Sequence, residues 1–211
     1  MQSISSLRWL TACAFFFVTS SSIMAIEEPD YTVVRTTEVF EIREYEPIVA
    51  IETEVETDFE DAGNRAFRRL FNYINGENQS RAEIAMTAPV TQNASESGSE
   101  KIAMTAPVTQ NERDGKFVVR FVLPATYTLD SAPTPNNPQV KLTELPKRQY
   151  AVRRYSGTWW KSNYDANLGE LRQALGKDGV SYEDTPIWSR YNAPFTLWFL
   201  RRNEIWLPLA N

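Results

Sequence analysis

The sequence predicts an α+β fold in which an antiparallel sheet carries two helices, arranged as two similar halves. Three observations predict it. Strand and helix signals run strands, helix, strands, and then strands, helix, strands again. Each helix signal is a single apolar stripe that needs one sheet face to pack against. No glycine-rich phosphate loop joins a strand to a helix, and no regular βαβ alternation occurs, which argues against a parallel dinucleotide-binding sheet.

Strand signals begin at Tyr31, and the cleanest is Val49, Ile51, Thr53 and Val55 alternating with Glu52, Glu54 and Glu56, a pattern that predicts one buried and one wet face. The first helix follows over 59–74. Asp58 is placed to cap it, Phe59, Ala62, Ala66, Phe67, Leu70, Phe71 and Ile74 recur at helical spacing, and Asn75 and Gly76 end it. The run IAMTAPVTQN then occurs twice, at 84–93 and 102–111, around a Ser, Gly and Glu rich linker. Two copies are too short and too few for a solenoid, and they read as extended segments with Pro89 and Pro107 at edges or bends. Strands are expected at 116–123, 140–145 and 149–155, with a Pro and Asn loop at 132–138. The second helix is expected over 161–175, with the stripe Tyr164, Leu168, Leu171, Ala174 and Leu175, Ser162 at its start and Gly176 at its end. Strands near 187–190 and 204–209 complete the pattern.

Composition narrows the function. Of 211 residues, 42% are hydrophobic and 12% aromatic, which suffices for one core. The net charge of -5 lacks the positive field that draws a protein onto phosphate backbones, so nucleic acid is not an expected partner. Residues 1–25 read as a secretory signal: Arg8 supplies the basic end, 9–18 the apolar core and 20–25 mostly small residues, with cleavage after Ala25 or, alternatively, Ser22. Residues 26–211 then form the domain. The expected location is outside the cytoplasm, periplasmic in a Gram-negative host, with no stable membrane anchor after cleavage. The cysteine in Leu10-Thr11-Ala12-Cys13 precedes the apolar run 14–18 instead of following it, which argues against lipidation.

Histidine is absent and the single cysteine falls inside the signal, so the usual general base, the nucleophile systems that need histidine, and a soft-ligand metal site are all missing. The carboxylates at 52–60 alternate with apolar residues and read as a solvated strand face. Catalytic residues and metal ligands are therefore not expected. The sequons at Asn78 and Asn93 matter only in a host that glycosylates them.

Three stretches, in this order and spacing, resemble the SOUL haem-binding protein family: the doubled IAMTAPVTQ, the segment at 155–160 that begins Tyr155, Ser156, Gly157, and RRNEIWLPL at 201–209. The resemblance runs from about Tyr31 onward, and the doubled motif and the PNNP loop at 135–138 are similar to bacterial exported members. The halves also resemble gyrase-inhibitory-protein-like small-molecule domains. The resemblance implies a barrel-like antiparallel sheet with two helices in pseudo-twofold halves, and haem or a related tetrapyrrole held in an open apolar groove beside the first helix, with basic side chains near the propionates. Carried onto this chain, it puts Asn64, Phe67 and Phe71 toward the ligand, and at 100° per residue these share about one third of a turn. Arg68 flanks them as the cation for a carboxylate. Met86 and Met104 are either thioether contacts to the ligand or gap-filling core residues, and Phe67 and Phe71 are either ligand contacts or core. Phe195, in the YNAPF segment, is expected to form a wall. With no histidine to ligate iron, haem binding would rest on apolar burial and propionate pairing. Two alternatives are a module for other planar amphiphiles and an envelope interaction protein that uses Trp159 and Trp160.

Overall fold

The computed structural model describes residues 26–81 and 98–210; the signal read at 1–25, the first copy of the repeat with Met86, and Asn93 lie outside the described residues. Three strands come first: β1 Tyr31–Thr36, β2 Glu41–Tyr45 and β3 Ile48–Val55. Helix α1, Phe59–Ile74, follows, and then the short β4 Asn78–Gln79, the hairpin β5 Val108–Arg113 and β6 Lys116–Val122, the short β7 Thr134–Pro135, β8 Lys141–Leu145 and β9 Arg148–Tyr155. Helix α2, Lys161–Lys177, precedes β10 Ile187–Arg190 and β11 Asn203–Pro208.

Nine strands form one antiparallel sheet in the order β1-β2-β9-β11-β10-β5-β6-β3-β8, and β4 pairs with β7 apart from it. The expected halves are visible in that order. In each, a strand leads into a helix and the hairpin after the helix lies beside that strand, β3-β6-β5 in one half and β9-β11-β10 in the other. The halves meet where β10 pairs with β5, with Trp188 opposite Gln110.

Each helix buries one stripe on one half. Ala62, Ala66, Leu70 and Ile74 of α1 pack with Val49, Ile51, Val119 and Phe121, while Tyr164, Leu168, Leu171 and Leu175 of α2 pack with Ile42, Ala151, Ile205 and Leu207. A third cluster unites Tyr45, Ile48, Val122, Tyr150, Val152, Ile187 and Trp206. These come from strands near both ends of the sheet order, and they meet because the sheet curls on itself.

That curl corrects the sequence reading of β3. Ile48, Ala50 and Glu52 are buried along with Val49 and Ile51, because α1 covers one face and the curled sheet covers the other. Glu52 is therefore no solvated carboxylate: it accepts from Arg120 Nε at 2.8 Å and from Arg113 at 3.1 Å. The helix starts differ as well. Asp58 is the N-cap of α1 but makes no side-chain cap bond, and α2 starts from Trp160, not Ser162, and runs through Gly176 to Lys177.

Asn78 brackets the end of α1. Its Nδ2 donates to the carbonyls of Tyr73 at 2.7 Å and Glu100 at 2.8 Å, and its Oδ1 accepts from the Glu100 N–H at 2.9 Å. At 2% exposure this sequon is closed to a glycan in the folded protein. Removing three bonds to buried and part-buried backbone groups leaves those groups unsatisfied, so Asn78→Ala is expected to cost about 2 kcal/mol of stability, read as a lower urea midpoint with an unchanged slope.

Candidate functional site

The stripe of α1 that packs on the sheet leaves the adjoining face open. On that face Phe67 and Phe71, one turn apart, stack with ring centroids 5.2 Å apart and planes 18° from parallel. They are 40% and 42% exposed, although the Phe67 ring is rooted edge-on against Phe121 at 5.4 Å. The side chains of a sealed core would not be so open.

These rings form the floor of a cleft of about 260 Å³. One wall is the second copy of the repeat, through Met104, Thr105, Ala106 and Val108, and the other is the chain after β10, from Tyr191 to Pro194. Ile26 closes one side, while Gly63, Asn64, Trp159 and Arg190 line the end nearest the start of α1. The volume lies just below the roughly 300–1,000 Å³ usual for small-molecule pockets. A larger planar ligand would enter by one edge and leave the rest in solvent.

Arg190 gives the cleft its one lining cation among the described residues. Its guanidinium occupies the space that a side chain at position 63 would take, since a Cβ on Gly63 would stand 2.6 Å from Arg190 Nη1. It donates to Gln110 Oε1 at 3.4 Å and lies over the Trp159 ring at 5.3 Å, with Arg201 over the same ring at 4.2 Å. Among the described residues it makes no ion pair. Burial pulls its pKa below the ordinary arginine value, and Arg201 adds to that pull against Tyr155 and Glu60. An arginine still keeps its proton under such pressure, so a fixed positive charge awaits an anion.

Beneath the wall lies a buried charge network that explains RRNEIW. The Glu204 carboxylate, 0% exposed, accepts from Arg43 at 3.1 Å, Arg202 at 2.9 Å, the Tyr191 hydroxyl at 2.7 Å and the Trp206 indole at 2.9 Å. Burial alone would raise its pKa, but Arg43, the Tyr191 hydroxyl, Arg202 and Trp206 outweigh burial and hold it below 4.5. The network anchors Tyr191 and so the wall of the cleft. Tyr155-Ser156-Gly157 has a comparable reason. Gly157 has φ +122°, a Cβ there would stand 2.6 Å from Asn163 Nδ2, and its N–H donates to Trp198 O at 3.1 Å, tying the loop before α2 to the chain after β10.

Asn64, Phe67, Phe71 and Met104 thus stand together around one cleft, and Met86 lies outside the described residues. Two expected contacts stand elsewhere. Arg68 is exposed one residue further round the helix and does not line the cleft; Arg190 supplies the cation from the opposite side. Phe195 is 90% exposed and points off the rim, where its neighbours Ala193 and Pro194 form the wall. Little in the sequence marks Arg190, because a lone arginine at the end of a short strand reads as an edge charge until Gly63 is seen across from it.

Comparison with known proteins adds to this geometry. The family model described as SOUL heme-binding protein matches residues 26–98 and 92–208, two matches that overlap at 92–98. Similar curated proteins are heme-binding protein 1 of Xenopus tropicalis, 27% identical over 79% of this chain and 82% of its own length, and heme-binding protein 2 of Homo sapiens, 28% identical over 82% and 78%. Among solved structures, a hydrolase from Listeria innocua has a TM-score of 0.54 at 10% identity, covering 84% of this chain and 94% of its own. The EcmrR C-terminal domain has a TM-score of 0.53 at 11% identity, covering 86% and 98%. At such identities these two share the fold.

Proposed function

Because the chain belongs to the SOUL heme-binding protein family, we propose that its cleft binds haem or a related tetrapyrrole without transforming it, and that the protein carries or buffers this ligand in the cell envelope. The observation that carries the reading is the stacked, half-exposed pair Phe67 and Phe71, a flat apolar floor facing a cation that makes no ion pair among the described residues. A planar macrocycle with acidic substituents meets both needs: its face buries on the rings and a carboxylate pairs with Arg190. The names of the curated relatives support the same ligand.

Binding by this route depends on burial and ion pairing more than on iron. Among the described residues lining the cleft, Met104 is the one sulfur, and the Tyr191 hydroxyl is spent on Glu204, with burial pushing its pKa further up. Thioether ligation is weak beside that of imidazole, and the chain has no histidine. That chemistry suits a ligand which must later leave.

Titration of the purified protein with haemin tests the proposal. A Soret shift that saturates at one equivalent is expected, and a shift that never saturates would overturn it. Full displacement by non-haem planar aromatics would instead make the site general for planar amphiphiles. Arg190→Gln is expected to weaken haemin about tenfold, because one charge-assisted bond is lost, and to leave the haemin dimethyl ester unchanged. Equal loss for both ligands would remove Arg190 from the carboxylate contact.

A further inference from the structure

Beyond the cleft rim, the chain at 195–200 reads Phe, Thr, Leu, Trp, Phe, Leu, and its five apolar side chains are all more than half exposed. Single exposed apolar residues are ordinary, but a contiguous run of this kind marks an interaction surface. The loop that carries Trp160, 68% exposed, is tied to this segment by the Gly157 to Trp198 bond.

Three properties identify what this surface meets. First, the side chains project outward, where a protein anchor would need a matching pocket and hydrocarbon needs none. Second, part of the turn's backbone is satisfied from within. The carbonyl of Ala193 accepts from Thr196 N–H, that of Leu197 from Leu200 N–H, and that of Trp198 from Gly157 and Arg201 N–H, while the Arg201 side chain donates to the carbonyls of Pro194 at 2.7 Å and Thr196 at 2.8 Å. Bonds of this kind suit a turn that sits in the interface, because lipid offers no partners to a polar backbone. Third, Arg201 follows the turn and the segment 185–203 holds no acidic residue, in a chain of net charge -5, whereas Arg202 is paired with Glu28 and Glu204 and Arg190 lines the cleft. Arg201 makes no ion pair among the described residues, its fork being turned to the loop's own carbonyls. Trp, Phe and Leu beside arginine are the residues that settle at a membrane interface.

We propose that the 195–200 turn, with Trp160, docks on the surface of a lipid bilayer bearing anionic headgroups. The contact is peripheral, since no helix among the described residues is long and apolar enough to cross a membrane. Pro194 lines the cleft and Phe195 begins the patch, so docking brings the cleft mouth to the bilayer. Exchange of a lipid-soluble ligand across that mouth rests on the haem reading; the docking does not.

Flotation of the haem-free protein with vesicles of phosphatidylcholine and phosphatidylglycerol tests the docking. The protein is expected to float with these vesicles and far less with phosphatidylcholine alone. Replacing Trp198 and Leu200 together with Ser is expected to lower partitioning roughly tenfold while the far-UV spectrum and haemin titration stay unchanged. A protein that stays at the bottom of the gradient, or a double variant that floats as well as the parent, overturns the proposal. So does sedimentation showing a dimer that the double variant loses, which would assign the patch to a second copy of the chain. Loss of haemin binding with flotation intact would sink the cargo reading alone.

Discussion

Replacing Glu204 with Gln is expected to lower the folding free energy by about 3–5 kcal/mol, the usual loss when one member of a buried ion pair is removed. The carboxylate has no exposure and answers two guanidinium groups, a phenol and an indole. An amide of the same shape offers one acceptor oxygen and no charge, so Arg43, itself buried, keeps only the more exposed Glu41 as a counter-ion. The effect is also tied to pH. The folded Glu204 carboxyl is held below its ordinary 4.5, so between those two values the unfolded chain binds more protons than the folded one. The stabilisation is fully present above 4.5 and is lost as pH falls through the folded value. Urea unfolding followed from pH 7 downward should therefore show the parent losing more stability than Glu204→Gln. Parallel pH curves would mean that the carboxylate titrates normally, and the network would then be no anchor for the cleft wall.

The helices and the order of strands were legible because a helix on a sheet leaves a 3.6-residue stripe, and Leu70 and Leu171 sit on theirs as the periodicity predicts. Periodicity does not report what covers the second face of a strand. Glu52 alternates with apolar residues like any wet carboxylate, yet curling of the sheet buries it against Arg120, and the curl is a property of nine strands together. The cleft was half legible for a similar reason. Phe67 and Phe71 announce a face of α1 by spacing, whereas Arg190 reaches that face from a strand more than a hundred residues away, across a glycine whose purpose only the packed structure reveals. Asn78 looks like a sequon because a sequon is three letters long; its bonds to Tyr73 and Glu100 belong to the folded chain.

Phe71→Asp is expected to weaken haemin binding roughly a hundredfold while the protein stays folded. Two losses combine: about 1.5–3 kcal/mol of apolar contact with the macrocycle, and the further cost of setting a carboxylate against an apolar ring with no partner of its own. At about 1.4 kcal/mol per factor of ten, their sum reaches that size. Folding should survive because Phe71 is 42% exposed and the residues that fasten α1 to the sheet, Ala66, Leu70 and Ile74, are untouched; the lower helix propensity of Asp costs less than about 1 kcal/mol. Arg68→Gln provides the contrast. It removes a charge one residue from Phe67 but outside the cleft, so haemin affinity should change less than twofold, on the order of a surface charge. Soret titrations of both variants beside their far-UV spectra decide the matter. If Arg68→Gln is the damaging change and Phe71→Asp the silent one, the ligand lies over the other flank of α1, and the paired rings are an exposed patch with no cargo.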